Sequence, residues 1–282
     1  MPDTRATTVP SPKRAPVKLA LQALRRTQAW HGRRDDASPW TSGARILCYH
    51  RVARDRGDLA VAPRDFRRHL DLIRDFDADV VRLADVPRLV SERPEARFVC
   101  LTFDDGYLDF QDEVLPLLRD AGLPSTLFVT TGFAAGTAHP YWYKRPRPLL
   151  RWAELERLAT NVLVEIGAHT RTHPDLRRLS DEEARDEIEG CRDELEQRLG
   201  VRPASFAYPA GLWSDRDRRL VEAAGYSLAV TIEPGVNERA TPRHLLRRTL
   251  VEGRDRVSLF EAKLEGLLDA PWEVGRFLRT RF

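Results

Sequence analysis

Two carboxylates side by side at the end of an apolar run, Asp104 and Asp105 before Gly106, and two histidines four apart, His169 and His173, can do chemistry together. Adjacent carboxylates repel, and burying both is costly unless a cation lies between them. A divalent metal on one of them relieves the repulsion and leaves the other free as a general base. One Asp with two His makes a three-ligand open site suited to Zn²⁺, with water in the fourth position. The zinc-protease helix H-E-x-x-H does not apply, because Thr170 stands where Glu is required and Thr-Arg-Thr-His-Pro is a poor helix interior. The histidine pair therefore reads as a loop. Alone, Asp-Asp-Gly reads as a turn and paired histidines as surface groups; their shared position at strand ends makes them a candidate site.

That position follows from the elements around them. Apolar runs at 45–49, 96–103, 125–129, 162–167, 204–208 and 228–231 read as buried strands. Helical patterns fall between them at 63–76, 112–121, 152–159 and 215–224. The clearest helix starts at Ser180, with Glu183 completing a capping box, places Ala184, Ile188, Cys191, Leu195 and Leu199 on one face, and stops at Gly200. Strand and helix in alternation predict a mostly parallel sheet, open or closed into a barrel, with its functional groups at the carboxyl ends of the strands. Asp104-Asp105-Gly106, His169 to His173 and Tyr208-Pro209-Ala210-Gly211 each follow such a run and would share one rim.

Composition narrows the class. With 42% hydrophobic and 32% charged residues over 282 positions, the chain has material for a substantial core and is no disordered, collagen-like or disulfide-framework protein. No apolar stretch approaches the ~20 residues needed to span a bilayer. Cys48, Cys100 and Cys191 lack C-x-x-C spacing and read as small buried hydrophobes. Net charge is only +3, and residues 1–40 hold eight basic side chains against three acidic ones. That segment reads as a flexible basic extension, with a short amphipathic stretch at 17–26 able to rest on an anionic membrane. Without a recognisable signal peptide the expectation is a cytoplasmic protein, in peripheral contact with the inner membrane face through residues 1–40. Only Lys13, Lys18, Lys144 and Lys263 are lysine among 46 basic residues, an arginine bias with no aromatic-interleaved basic stripe, so nucleic acid is not an expected partner.

Three motifs in order, Thr102-Phe103-Asp104-Asp105-Gly106-Tyr107, residues 165–174 around His169 and His173, and Phe206-Ala207-Tyr208-Pro209-Ala210-Gly211, resemble the polysaccharide deacetylases of the NodB-homology type, carbohydrate esterase family four. Tyr49-His50-Arg51-Val52 is similar to the opening strand of the branch of bacterial poly-N-acetylglucosamine deacetylases. The resemblance, covering roughly 44–252, implies an α/β fold. Specifically, it implies an irregular (β/α)7 barrel, a single catalytic domain at 41–252 between an N-terminal tail at 1–40 and a C-terminal helical extension at 253–282. It also implies metal-dependent removal of acetyl groups from an N-acetylated sugar, glycan or glycolipid. Residue by residue, Asp105, His169 and His173 match the metal triad, Asp104 the base, and Ala210 the backbone donor to the oxyanion, with Pro209 unable to donate. Two departures stand out: Ala207 occupies the place of an arginine that orients the base, and Arg248 that of the general-acid histidine. His50 is the remaining candidate acid. Arg248 is placed among the substrate-binding residues with Tyr208, Ala210, Trp213 and Trp142, or alternatively supplies the orienting charge; Trp142 and Trp213 offer faces for pyranose rings. His31, His69, His139 and His244 read as surface. A metal-dependent amidohydrolase on a small or cyclic amide, and a sugar-binding module with a decayed site, are the alternatives.

Overall fold

The apolar runs pair side by side, all pointing the same way. In the computed structural model, which describes residues 40–55 and 57–269, the strands are β1 (Gly43–Tyr49), β2 (Arg51–Val52), β3 (Ala60–Val61), β4 (Asp79–Val80), β5 (Arg97–Phe103), β6 (Ser125–Val129), β7 (Val164–Ala168), β8 (Ser205–Ala207), β9 (Leu228–Val230) and β10 (Arg248–Leu250). The α-helices are α1 (Pro63–Asp75), α2 (Val86–Glu92), α3 (Leu115–Ala121), α4 (Thr131–Ala135), α5 (Trp152–Ala159), α6 (Asp181–Leu199), α7 (Asp215–Ala223) and α8 (Val257–Leu264). The main sheet runs β10-β1-β5-β6-β7-β8-β9, every neighbour parallel. It closes on itself where Val230 bridges Leu246 and the Arg248 N–H donates to the Glu233 carbonyl. The result is the expected irregular seven-stranded barrel.

Alternation along each strand divides the apolar groups into two cores. Ile46, Cys100, Phe128, Ala207 and Val230 point inward, and Leu83, Val86 and Val90 join them to plug the end where Ala44 and Phe98 begin their strands. Their neighbours Leu47, Leu101, Val129, Phe206 and Ala229 point outward against helix residues Ile73, Leu118, Leu155 and Leu195. The interior is narrow: a Cβ on Gly167 would lie 2.5 Å from the Phe128 ring and 2.8 Å from Ser205 Oγ. At its other end the barrel holds Thr102, Asp104 and Arg248 in place of apolar groups.

Helix α6 forms as its sequence predicts. Ser180 Oγ accepts the Glu183 N–H, the Glu183 carboxylate accepts the Ser180 N–H, and Gly200 ends the helix at a φ of 65°. The helix expected at 112–121 instead opens with a π-helical turn, Phe110–Val114, before α3. Strand β10 has no apolar run to announce it, since two of its three residues are Arg248 and Thr249. All three cysteines are free and buried, as expected. The basic stretch 1–39 and residues 270–282 lie outside the described residues. Among those described, no helix is long and apolar enough to cross a membrane.

Candidate active site

Because the strands are parallel, the residues after β1, β5, β7 and β8 meet on one rim. His50 follows β1, Asp104 and Asp105 follow β5, His169 follows β7, and Tyr208 to Gly211 follow β8. The backbone there is strained. Asp105, Thr170, His173 and Ala210, with φ of 74°, 63°, 62° and 51°, are the non-glycine residues of positive φ among the described residues, and all lie in these motifs. Such a conformation costs on the order of 1–3 kcal/mol per residue and persists only where the surroundings impose it. In the histidine loop Thr170 holds it: its hydroxyl donates to the His169 carbonyl at 2.6 Å and accepts the His173 N–H at 3.0 Å.

The strained turns aim three side chains at one point. Asp105 Oδ1 lies 3.5 Å from His169 Nε2 and 3.7 Å from His173 Nε2. One donor atom from each residue lies within 4.8 Å of the others, and all three residues are buried. His169 Nδ1 stands 2.7 Å from the Ala207 carbonyl, which can only accept, so the ring carries a hydrogen there and turns Nε2 to Asp105. Burial alone would lower this imidazole, but Asp105 and then Asp104 outweigh it and raise it. Burial, and then His169 beside it, hold the His173 imidazole down to about 4, so it is neutral. Both oxygens of Asp105 are buried without a hydrogen-bond partner. An ionised carboxylate so placed, facing the Nε2 atoms of two imidazoles, fits a divalent cation.

Asp104, beside it, is satisfied in another way. Arg248 reaches it with both terminal nitrogens, Nη1 to Oδ1 at 2.6 Å and Nη2 to Oδ2 at 2.7 Å, and Cys48 Sγ lies 3.5 Å from Oδ2. Burial alone would push the carboxyl up, but Arg248 and then His169 outweigh it and hold it well below the usual range. Arg248 also bonds Thr102 and the Thr231 carbonyl and is fully buried, so it is not a group that meets substrate from the mouth; the orienting alternative matches its geometry. It does so from β10, one strand beyond β9 from the place where Ala207 leaves no arginine.

The other expected residues divide. His50 is half-buried, with a ring nitrogen within 4.8 Å of Asp104, and its Nδ1 is buried without a partner. Trp142 stands 4.6 Å from His173, centre to centre, and donates Nε1–H to the Tyr107 hydroxyl at 3.2 Å. Tyr208 is no substrate ligand: strand alternation turns it outward with Phe206, and its hydroxyl donates to the His244 carbonyl at 3.1 Å. Trp213 lines a cavity of about 670 Å³ with Trp40, Glu233 and Thr241, which holds none of the triad. His139 is exposed, His244 is half-buried on the Tyr226 carbonyl, and His31 lies outside the described residues. His69, read as surface, is fully buried between Tyr49 and Phe260; its spacing with Phe66, Leu70 and Ile73 on one helical face could have shown this. Tyr107 closes the Asp-Asp-Gly motif, but its contact with Trp142, 35 residues away, was hidden by distance in sequence.

A parallel barrel with an Asp-His-His cluster and an ion-paired carboxylate at its carboxyl rim belongs to the class of barrel hydrolases. Residues 91–229 match the family described as polysaccharide deacetylase. The Bacillus subtilis protein YxkH is 24% identical over 268 residues, 92% of this chain and 89% of its own. The Streptococcus pyogenes deacetylase PplD, solved in complex with acetate, shares the fold with a TM-score of 0.67 at 24% identity, over 78% of this chain and 97% of that one. IcaB from Ammonifex degensii gives 0.67 at 23% identity, over 79% and 97%.

Proposed function

We propose that this protein removes acetyl groups from an N-acetylated sugar, glycan or glycolipid, with Asp105, His169 and His173 holding a divalent metal. One observation carries the reading: a buried Asp105 carboxylate with no hydrogen-bond donor faces the Nε2 atoms of two imidazoles beside a second carboxylate kept ionised by Arg248. Two imidazoles and one carboxylate suit zinc. A metal bound there supplies polarisation of the acyl carbonyl and acidification of water. Asp104 takes the proton from the attacking water. His50 gives a proton to the departing amine, and the Ala210 N–H donates to the developing oxyanion. Arg248 already occupies both oxygens of Asp104, so no orienting task is left for His50, which supports its role as the acid.

The test is metal analysis of the purified protein followed by acetate release from an N-acetylchitooligosaccharide. One divalent ion per chain and measurable acetate are expected, with both lost in His173→Ala. Full metal stoichiometry and activity in that variant would refute the assignment.

A further inference from the structure

Behind the aromatic side of the site lies a network that the chemistry above does not use. Arg51, next to His50, is 5% exposed. Its Nε donates to Asp109 Oδ2 at 2.8 Å and its Nη1 to Asp55 Oδ2 at 2.9 Å. Asp55 Oδ2 also receives Arg147 Nη1 at 2.8 Å. The two guanidiniums lie against the Tyr143 ring, 5.9 and 5.2 Å from its centroid. Residues 136–150 thus carry a cation tied to Arg51 through one shared carboxylate.

That loop needs tying. Residues 136–150 contain three prolines and no regular helix or strand, and of their side chains only Pro140 and Leu150 are buried. Segments with so little buried surface open easily. Backbone bonds fasten the far end, Leu108 N–H to the Pro148 carbonyl and Leu150 N–H to the Gly106 carbonyl. The near end bears Tyr141, 73% exposed, which meets Trp142 edge-on at 4.9 Å, and Trp142 in turn lies against His173. We infer that Arg51 is a positioning residue which, through Asp55 and Arg147, holds residues 141–143 as a wall beside His173 on which a sugar ring stacks. The inference rests on the deacetylase reading and deepens it: the wall serves substrates that extend beyond the acetyl group. A small acetate ester has no ring to place there.

The test separates the loop from the chemistry. Asp55→Asn and Arg147→Met break the tie at the surface without stranding a buried charge, and Arg147→Lys keeps it. Lysyl endopeptidase cuts after Lys144, which is exposed in the loop, and after Lys263, which lies in α8. Cutting after Lys144 should accelerate about tenfold in Asp55→Asn and Arg147→Met and stay within about twofold in Arg147→Lys, with cutting after Lys263 unchanged. In parallel, KM for N-acetylchitotetraose should rise about fivefold at constant kcat, while hydrolysis of 4-nitrophenyl acetate holds. Unchanged cutting after Lys144, or equal losses on oligosaccharide and ester, would overturn the proposal. If the wild-type protein releases no acetate from the oligosaccharide, the deacetylase reading falls and the cleavage rates alone decide whether Arg51 holds the loop.

Discussion

At Asp104 two demands meet. In the role of general base proposed above it has to be ionised at working pH, whereas a carboxylate that is 2% exposed is driven toward its neutral form. The two-pronged contact of Arg248 resolves the conflict, since both oxygens gain a charge-assisted bond. Without the guanidinium, burial would act unopposed and raise the carboxyl, so the acid limb of the pH profile of kcat/KM should move to higher pH in Arg248→Met. An unmoved limb would remove Arg248 from the control of the base. His50 is tested by substrate. A proton donor to nitrogen matters for amides, whose leaving group is very basic, and little for activated aryl esters, so His50→Gln should lose far more on N-acetylchitotetraose than on 4-nitrophenyl acetate. Equal losses would reject the acid role. Asp104, Asp105, His169 and His173 were legible as candidates from residue type and position, because their chemistry is uncommon and the Asp-Asp pair and His169 each follow an apolar run. Arg248 was legible only as a departure, because its partner is fixed by barrel closure, which no local pattern encodes.

Helices α1 and α8 meet at His69, whose ring stacks on Phe260 at 3.7 Å between centroids while Nδ1 faces the Tyr49 hydroxyl at 3.3 Å. Burial, and then Lys263, hold this imidazole down to about 3. An unfolded histidine titrates near 6.5. The folded state thus binds fewer protons, and its stability is intact above pH 6.5 and declines as pH falls toward 3, by up to about 1.4 kcal/mol per pH unit. His69→Phe should flatten the dependence of Tm on pH between 6.5 and 4, and an unchanged slope would place the acid sensitivity elsewhere. Elements with their own punctuation were legible, α6 above all, where Ser180, Glu183 and Gly200 act within the chain's own backbone. Strands of two or three residues such as β4 and β10 were not, because they exist only by pairing with β5 and β1.

Across the whole molecule, charge and closure set what the barrel can do. The positive excess is concentrated in residues 1–40, and attraction of about 1 kcal/mol per basic residue near an anionic surface suffices for reversible binding when several engage. Cosedimentation with phosphatidylserine vesicles should therefore be lost on deleting residues 1–40, and equal binding by both forms would take that segment out of the interaction. Closure has a different consequence, one of order in time. Asp104 is synthesised 144 residues before Arg248, so a nascent chain that has paired β1, β5 and β6 still carries an acid at its centre with no counter-charge. Such a half-ring keeps that acid protonated or in contact with water. The last strand of the ring is also the one that supplies the counter-charge, so the growing polypeptide gains a dry interior and an ionised Asp104 in the same closing step.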